Sequence, residues 1–204
     1  HVWLGAKFSG PPKPTNMSQP DAPTDRPPIP DTLDWDLWLG PAPFRPYHPT
    51  YSPAGWRYWW NFANGQLGDF FCHYCDLPFW ALGLDAPQTV EAFGPQPHAE
   101  IAPASMTAIY QYGPRGDRPP VRLSWYQGAD KPSYWTNGEI PAWDSGVLFV
   151  GTKGMLLSDY RKHLLLPEDD FVDFQPPEPY LPVPQSHHHE WLEACRGNGS
   201  TGSP

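Results

Sequence analysis

Three polar side chains fall within eight consecutive positions of the stretch GQLGDFFCHYCDLPFWALGL, residues 65–84. A helix advances about 100° per residue, so Asp69 and His73 would project about 40° apart, and Asp76 about 20° from Asp69. A carboxylate one turn from an imidazole can hold the tautomer of the ring and raise its pKa, which suits proton transfer from a hydroxyl group. These three residues, called the polar stripe below, therefore predict acid–base chemistry on a hydroxyl-bearing ligand.

Other interpretations of the polar stripe remain open. It can be the solvated face of an ordinary helix, or a metal site, although three ligands on one helix rarely converge on one ion. Cys72 and Cys75 lack the second cysteine pair that is typical of a zinc site. The segment SHHHEW, residues 186–191, fits the polar start of a helix better than a metal site. We predict no metal ligand, and we expect all three cysteines, Cys195 included, to be free and buried.

Aromatic rings and arginines lie shortly before the stretch, in RPYHPTY at residues 45–51 and GWRYWWNF at residues 55–62. Sugars pack their C–H faces on such rings, while carboxylates and imidazoles bind their hydroxyl groups. Any single ring can instead belong to the core. We predict that five residues bind substrate: Tyr47, Arg57, Trp60, Asp69 and Asp76.

The polar stripe is expected to lie on a helix from about residue 66 to 82. Apolar side chains recur there at spacings of three and four, the helical signature; they are Leu67, Phe70, Phe71, Tyr74, Leu77 and Trp80. Pro78 should kink or break this helix. A shorter helical turn, capped by Thr32 or Asp34, should end at Leu39.

Beyond residue 87 the pattern changes to short runs rich in β-branched and aromatic residues. Five such runs predict five strands, antiparallel because their links are short; the runs are QTVEAFGP, SMTAIYQYG, PVRLSWYQG, SGVLFVGTKG and MLLSDY. GTKG is typical of a hairpin turn. A last helix should begin after Ser186, at about residue 188, and run to Cys195.

The composition predicts a folded chain. Of 204 residues, 30 are proline, yet 39% are hydrophobic and 11 are tryptophan, which is unlike a disordered sequence. Residues 1–33 read as an extended proline-rich arm, opening with a possible short strand in HVWLGA, and residues 34–204 as one domain. We predict an α+β fold, in which an open, mostly antiparallel sheet has helices packed on one face and carries a Pro/Trp-rich irregular arm.

Charge and hydropathy exclude some partners. With 13 Lys and Arg residues and a formal net charge of −9, the chain lacks the basic stripe that nucleic acids require. No apolar run approaches the roughly 20 residues that span a bilayer. We therefore expect neither nucleic acid nor membrane as a partner. No signal peptide opens the chain, but its first residue is His1, so the sequence assigns no compartment.

Four motifs together resemble the C-terminal domain of the Gfo/Idh/MocA oxidoreductases, most closely the long bacterial members with a Trp- and Pro-rich insertion. In order they are LDWDLWLGPAPFRPYHPTY, WRYWWNFANGQLGDFFCHYCDLPFWALGL, GVLFVGTKGML and SHHHEWLEACRGNGSTGS. The most specific is GDFFCH, which is similar to the family pattern Gly-Asp-x-x-x-His. The resemblance covers nearly the whole chain.

The resemblance implies an NAD(P)-dependent enzyme that acts on a sugar, an inositol or a related polyol. A Rossmann domain would bind NAD or NADP, and the C-terminal domain would bind substrate and form a homo-oligomer through its sheet. By motif, His73 would be the catalytic proton-transfer residue, and Asp69 would orient the substrate and His73. No catalytic role carries over to Asp76. Members occur in the bacterial cytoplasm and as exported forms.

Two family features are missing. No Gly-x-Gly-x-x-Gly follows a strand, and no Glu-Lys-Pro motif is present. We therefore expect a truncated chain without the Rossmann half, which alone binds no dinucleotide and turns over no substrate. The alternative is a non-catalytic carbohydrate-binding or assembly module, in which the aromatic rings form the whole site.

Overall fold

The computed structural model describes residues 1–5, 22–53, 55–180 and 186–201. The chain divides into two compact units, His1–Asp170 and Phe171–Pro204. The predicted boundary between an arm of residues 1–33 and a domain of residues 34–204 stays a prediction. Residues 6–21, which make up about half of that arm, lie outside the described residues.

The first unit is built on a sheet. Its described strands are β1 (Val2–Trp3), β2 (Thr89–Phe93), β3 (Met106–Tyr112), β4 (Val121–Gln127), β5 (Gly146–Gly151), β6 (Gly154–Ser158) and β7 (His163–Leu166). They lie in the order β2-β3-β4-β1-β5-β6-β7. Neighbouring strands are antiparallel except β1 and β4, which are parallel. With the helices described next, this confirms the predicted α+β class and the open, mostly antiparallel sheet.

The described helices are α1 (Trp35–Leu39), α2 (Gly65–Leu82), α3 (Ser133–Thr136) and α4 (His187–Cys195). Two 3₁₀ turns, Gly55–Tyr58 and Glu168–Phe171, complete the regular elements of the described residues. Among them α2 is the longest, with 18 residues, and it carries the polar stripe.

The first residues of the chain lie inside the sheet. Val2 pairs with Trp125 of β4 on one side and with Val147 of β5 on the other. Val2 and Trp3 are both fully buried, so the possible strand in HVWLGA is a central element of the sheet. The strand β1 thus belongs to the predicted arm, whereas the other described part of that arm, residues 22–33, has no helix or strand.

Helix α2 covers one face of the sheet. Tyr74 and Cys75 on the helix are buried in one cluster with Val2, Trp125 and Val147, whose side chains share a face because they are register partners. Phe71 lies 5.2 Å from the ring of Tyr110 and 5.6 Å from that of Trp125, measured between ring centroids. Four of the six apolar residues that predicted this helix pack in this cluster, namely Leu67, Phe70, Phe71 and Tyr74, whereas Leu77 and Trp80 are exposed.

The opposite face of the sheet is covered in part by α3 and the loop that follows it. Trp3 and Leu148 are buried there, and Tyr134 and Trp135 pack against them. The indole N–H groups of Trp3 and Trp135 both donate to the carbonyl oxygen of Trp143, at 2.9 and 3.0 Å. Helices thus lie on both faces of the sheet, the long α2 on one side and the four-residue α3 on the other. The prediction that helices pack on one face is wrong for α3, because Trp3 and Leu148 leave an apolar surface on the second face that Tyr134 and Trp135 cover.

A second core is formed by aromatic residues before α2. Its buried members are Trp35, Leu39, Tyr51, Tyr58, Trp59 and Ile101. Helix α1 supplies the first two, and the side chain of Asp34 caps it by accepting from the Leu37 N–H at 3.0 Å. Gly40, with φ +54, ends the helix in a conformation that favours glycine. The predicted turn through Leu39 is confirmed.

The other local predictions mostly hold. All five predicted strands form, and Thr152–Lys153 turn the hairpin between β5 and β6. Helix α2 continues through Pro78 for another turn, so the predicted break does not occur. Strand β7 was not predicted. Of the cysteines, all free, only Cys75 is buried; Cys72 and Cys195 are exposed, so the prediction of burial is wrong for those two.

The second unit contains α4. The side chain of Ser186 caps it by accepting from the His189 N–H at 3.3 Å, which confirms a helix that starts after Ser186 and ends at Cys195. Glu193 near its end accepts hydrogen bonds from the side chains of Arg196 and Asn198, each at 2.7 Å. The histidines of SHHHEW occupy the first turn of this helix.

Candidate functional site

The polar stripe lies on the side of α2 that faces away from the sheet. His73 and Asp76 are exposed and Asp69 is half-buried, whereas Tyr74, Cys75 and Pro78 are buried. The polar stripe thus points outward, and the same exposed side of the helix carries Trp80 from the predicted apolar set. The outward side leaves His73 accessible to a ligand or to another protein surface.

Asp69 is held by an arginine that comes from the 3₁₀ turn before the helix. The Nε–H of Arg57 donates to Oδ2 of Asp69 at 2.6 Å. The guanidinium carbon of Arg57 also lies 4.5 Å from the ring centroid of Trp56. Both charged side chains are partly exposed, at 37% for Arg57 and 29% for Asp69. A charge-assisted hydrogen bond at the protein surface therefore fixes the Asp69 carboxylate in position.

The structure brings Asp69 to Arg57 rather than to the imidazole of His73. In the described part of the chain, the His73 ring contacts the ring of Phe70, with centroids 5.6 Å apart. The catalytic role of His73 and the orienting role of Asp69 stay predictions. What the geometry adds is a partner for Asp69, found among the residues predicted to bind substrate.

A tyrosine that sequence reasoning missed lies against the same helix. Tyr160, in the turn between β6 and β7, donates its hydroxyl to the backbone carbonyl of His73 at 3.2 Å. Its ring centroid lies 5.0 Å from that of Tyr74. The pKa of Tyr160 is raised mainly by desolvation, and to a smaller extent by electrostatic repulsion from Tyr74, Cys72 and Asp76. Tyr160 thus places a protonated hydroxyl beside the polar stripe.

Tyr47 and Trp60 occupy different surroundings. Tyr47 is half-buried and packs edge-on against Trp35, at 5.3 Å between centroids, as part of the aromatic core. Trp60 is 43% exposed, and its indole N–H donates to the carbonyl oxygen of His98 at 3.0 Å. The ring of Trp60 is therefore accessible and fixed in orientation, whereas the ring of Tyr47 is used in packing.

Described residues in this region line at least two clefts. The first, of about 530 Å³, is called the tryptophan cleft here and is lined by Trp38, Leu39, Pro41, Ala42, Pro43, Trp56, Asn61 and Phe62. The second, of about 450 Å³, lies between the start of α2 and the end of β2, and Trp60, Asn64, Leu67, Phe93 and Met106 are among the residues that line it. The residues of the polar stripe line neither cleft, but Arg57 connects Asp69 to a wall of the first.

Within the described residues, no group of three or more His, Cys, Asp and Glu side chains is arranged to hold a metal ion. This covers the polar stripe, the cysteine pair on α2 and the histidines of α4. None of the described helices is long and apolar enough to cross a membrane.

The chain is similar to a known protein family over part of its length. Residues 21–116 match a family model described as "Oxidoreductase family, C-terminal alpha/beta domain". The matched range, just under half of the chain, contains the aromatic core, α2 and the whole polar stripe. It confirms, over these residues, the family resemblance noted in the sequence. Comparison with curated proteins finds no match.

Proposed function

We propose that this chain is the substrate-side part of an NAD(P)-dependent sugar or polyol dehydrogenase, because residues 21–116 match the model of the C-terminal domain of the Gfo/Idh/MocA oxidoreductases. The observation that carries the proposal is the outward position of His73 on α2, one turn from an Asp69 that Arg57 fixes in place. This pairing of an accessible imidazole with an oriented carboxylate suits proton transfer on a bound hydroxyl group.

In this proposal His73 is the catalytic residue and Asp69 orients the substrate. When an alcohol is oxidised, His73 takes the hydroxyl proton as the carbon loses its hydrogen together with the bonding electron pair. NAD⁺ or NADP⁺, held by another part of the full-length protein, would supply the hydride acceptor. In the reverse direction His73 returns the proton to the carbonyl oxygen. Arg57 keeps the Asp69 carboxylate at the position from which it accepts a second substrate hydroxyl.

We assign no residue of this chain to the nicotinamide cofactor. Members of the family bind it mainly through their N-terminal domain, and no Gly-x-Gly-x-x-Gly follows a strand in the 204 residues. The exposed side of α2 that carries His73 and Asp76 also carries Trp80, which is 65% exposed. An apolar ring of that exposure beside a reactive imidazole suits a surface that another domain covers.

The sugar or polyol class rests on the rings around the start of α2. Trp60 offers a fixed, accessible face, and the carboxylates of the polar stripe offer hydroxyl acceptors. We also propose Asp76 and Tyr47 as substrate contacts. Tyr47 would meet the substrate at the edge of the aromatic core, in which its ring packs.

The experiment is a substrate screen with the full-length protein. Aldoses, inositols and linear polyols are each incubated with NAD⁺ or NADP⁺, and reduced nicotinamide is followed at its absorbance band. We expect at least one compound to give turnover, and an Asp69→Asn variant to raise its KM by roughly tenfold because one charge-assisted hydrogen bond to a hydroxyl weakens.

An Asp173→Asn variant is the control, since Asp173 is an exposed carboxylate far along the chain in the second unit. Its KM should equal that of the unaltered protein. Sugar binding by calorimetry with no reduction of either cofactor would contradict the dehydrogenase proposal and favour a non-catalytic carbohydrate-binding module.

We also propose that the protein forms a homo-oligomer through its sheet. Apolar side chains on the strands remain exposed in the single chain, among them Val90 at 55%, Phe93 at 53% and Val150 at 49%. Val90 and Phe93 lie on the edge strand β2 and Val150 on the inner strand β5, and exposed apolar side chains of this kind favour burial against a second copy. Light scattering should give a mass that is a multiple of the full-length chain; the mass of one chain would contradict this proposal.

A further inference from the structure

We propose that the tryptophan cleft is a second carbohydrate subsite, which takes an uncharged sugar ring attached to the ring that reacts beside His73. This inference rests on the proposed function and goes beyond it in one respect. The substrate would be a disaccharide or a longer glycan, not a free monosaccharide.

The cleft has the size and walls that a sugar ring needs. Its volume of about 530 Å³ lies in the range of small-ligand pockets, roughly 300–1,000 Å³. Trp38 and Trp56 supply flat apolar surfaces, and Asn61 supplies an amide for hydroxyl groups. Flat rings with few polar groups match the amphipathic faces of a sugar.

The walls are held in position before any ligand arrives. Trp38 stacks on Trp35, at 4.6 Å and 11° between the rings, and meets Phe62 edge-on at 5.1 Å. The side-chain oxygen of Asn61 accepts from Arg45 at 3.3 Å, and Arg45 is held in turn by Tyr51. Preorganised rings and amides lose less conformational freedom on binding, so more of the contact energy appears as affinity.

One wall of the cleft is linked to the polar stripe through Arg57. Trp56 lines it, the guanidinium of Arg57 covers the Trp56 ring at 4.5 Å, and Arg57 donates to Asp69 at 2.6 Å. A single side chain therefore separates the cleft wall from the carboxylate that orients the reacting ring. In this proposal a two-ring ligand reaches across the Arg57 side chain, with one ring in the cleft and the other beside Asp69.

The lining also favours neutral sugars. All eight residues that line the cleft are uncharged. The chain has a formal net charge of −9, which repels anionic ligands. Uronic acids and sulfated sugars are therefore expected to bind no better than single neutral rings.

The test is calorimetric binding to the full-length protein. Glucose and N-acetylglucosamine are the single-ring probes, and cellobiose, maltose and N,N′-diacetylchitobiose are the two-ring probes. At least one two-ring probe should bind about tenfold more tightly than its single-ring counterpart, equivalent to about 1.4 kcal/mol. Trp56→Ala should abolish this gain. Trp191→Ala, which removes a 61% exposed tryptophan from the second unit, should keep it.

Two further measurements guard against misfolding of the alanine variant. Trp56→Phe keeps a flat ring and should keep part of the gain. Saturation-transfer NMR on the unaltered protein should show protons of both rings of the two-ring probe in contact with the protein.

The outcomes separate this inference from the proposed function. Equal affinity for one-ring and two-ring sugars, together with turnover of a one-ring sugar, would overturn the proposal of a second subsite and would still support the proposed dehydrogenase activity. A two-ring gain that survives Trp56→Ala also overturns it. Absence of both binding and turnover for every sugar overturns both.

Discussion

The contact between Arg57 and Asp69 is the feature of the site most open to a quantitative test. Replacing Arg57 with alanine removes a hydrogen-bonded ion pair at 2.6 Å and a cation–π contact with Trp56 at 4.5 Å. Both changes should lower the free energy of unfolding and release the Asp69 carboxylate from its fixed position.

The magnitude follows from the exposure of the two side chains. Arg57 is 37% and Asp69 29% exposed, so solvent screens the pair, and such pairs contribute about 0.2–1 kcal/mol. The cation–π contact adds about 0.5–1 kcal/mol at an exposed site. We therefore expect Arg57→Ala to lower the free energy of unfolding by about 1–1.5 kcal/mol.

A double-mutant cycle isolates the ion pair from the rest. Equilibrium urea unfolding, followed by tryptophan fluorescence, is measured for Arg57→Ala, Asp69→Asn and the double variant. The coupling energy should be about 0.5–1 kcal/mol, and should shrink on raising NaCl from about 0.1 M to 1 M, since the screening length falls from about 10 Å to 3 Å. Arg161→Ala, at an exposed position in the turn after β6, serves as the control and should change stability little.

Strict additivity of the two single variants would refute the reasoning, because it would mean that Arg57 does not hold Asp69 in solution. A coupling energy that does not respond to salt would refute the electrostatic part of the argument and leave only packing.

Three further predictions test the fold. In the native protein a thiol reagent at mildly alkaline pH should modify Cys72 rapidly and Cys75 only on unfolding. Burial raises the pKa of the Cys75 thiol and also excludes the reagent. Equal modification rates of the two thiols would contradict the packing of α2 against the sheet. Tyr112→Phe should raise the free energy of unfolding by about 1 kcal/mol, since its buried hydroxyl has no partner among the described residues. Burial also raises the pKa of Tyr112 to about 12, so this side chain loses its proton at lower pH in the unfolded chain than in the folded one, and the free energy of unfolding falls between about pH 10 and 12. The urea midpoint should fall less over this range in Tyr112→Phe than in the unaltered protein, and the fall that remains in the variant comes from the other tyrosines. Gly128→Ala should lower the free energy of unfolding by at least about 2 kcal/mol, because the added Cβ would lie 2.3 Å from the carbonyl oxygen of Ala104. Gly116 also has a positive φ but has open space around it, so Gly116→Ala should lower it by only about 1 kcal/mol. Similar thermal midpoints for the two variants would contradict the described turn after β4.

The spacing of apolar residues predicted much of the fold, because within one helix or strand this spacing depends on which side of that element is buried. The spacing of Phe71, Tyr74 and its neighbours gave α2, since a helix buries one side against a sheet. Strand β7 was missed because HLLL is a short apolar run without alternation, which does not distinguish a strand from a buried turn. The central place of Val2 and Trp3 depends on pairing with strands more than 120 residues away, and no local signal carries it.

The same distinction applies to the site. Asp69 and His73 were predicted from their spacing on one helix, and Arg57 from its neighbourhood in the sequence. That Arg57 pairs with Asp69 depends on how the 3₁₀ turn meets α2, and the contact of Tyr160 with His73 spans 87 residues. Long-range contacts of this kind are set by the sheet, so they emerge only from the three-dimensional structure.

The most direct test of the account is hydride transfer in a single turnover, with the full-length protein and the first substrate that the screen identifies. His73→Ala should slow this step by about 10²–10⁴-fold, the usual contribution of a positioned acid–base group. His163→Ala, which removes an exposed imidazole from β7, should leave it unchanged. Undiminished hydride transfer in His73→Ala would contradict the central claim that this imidazole moves the substrate proton.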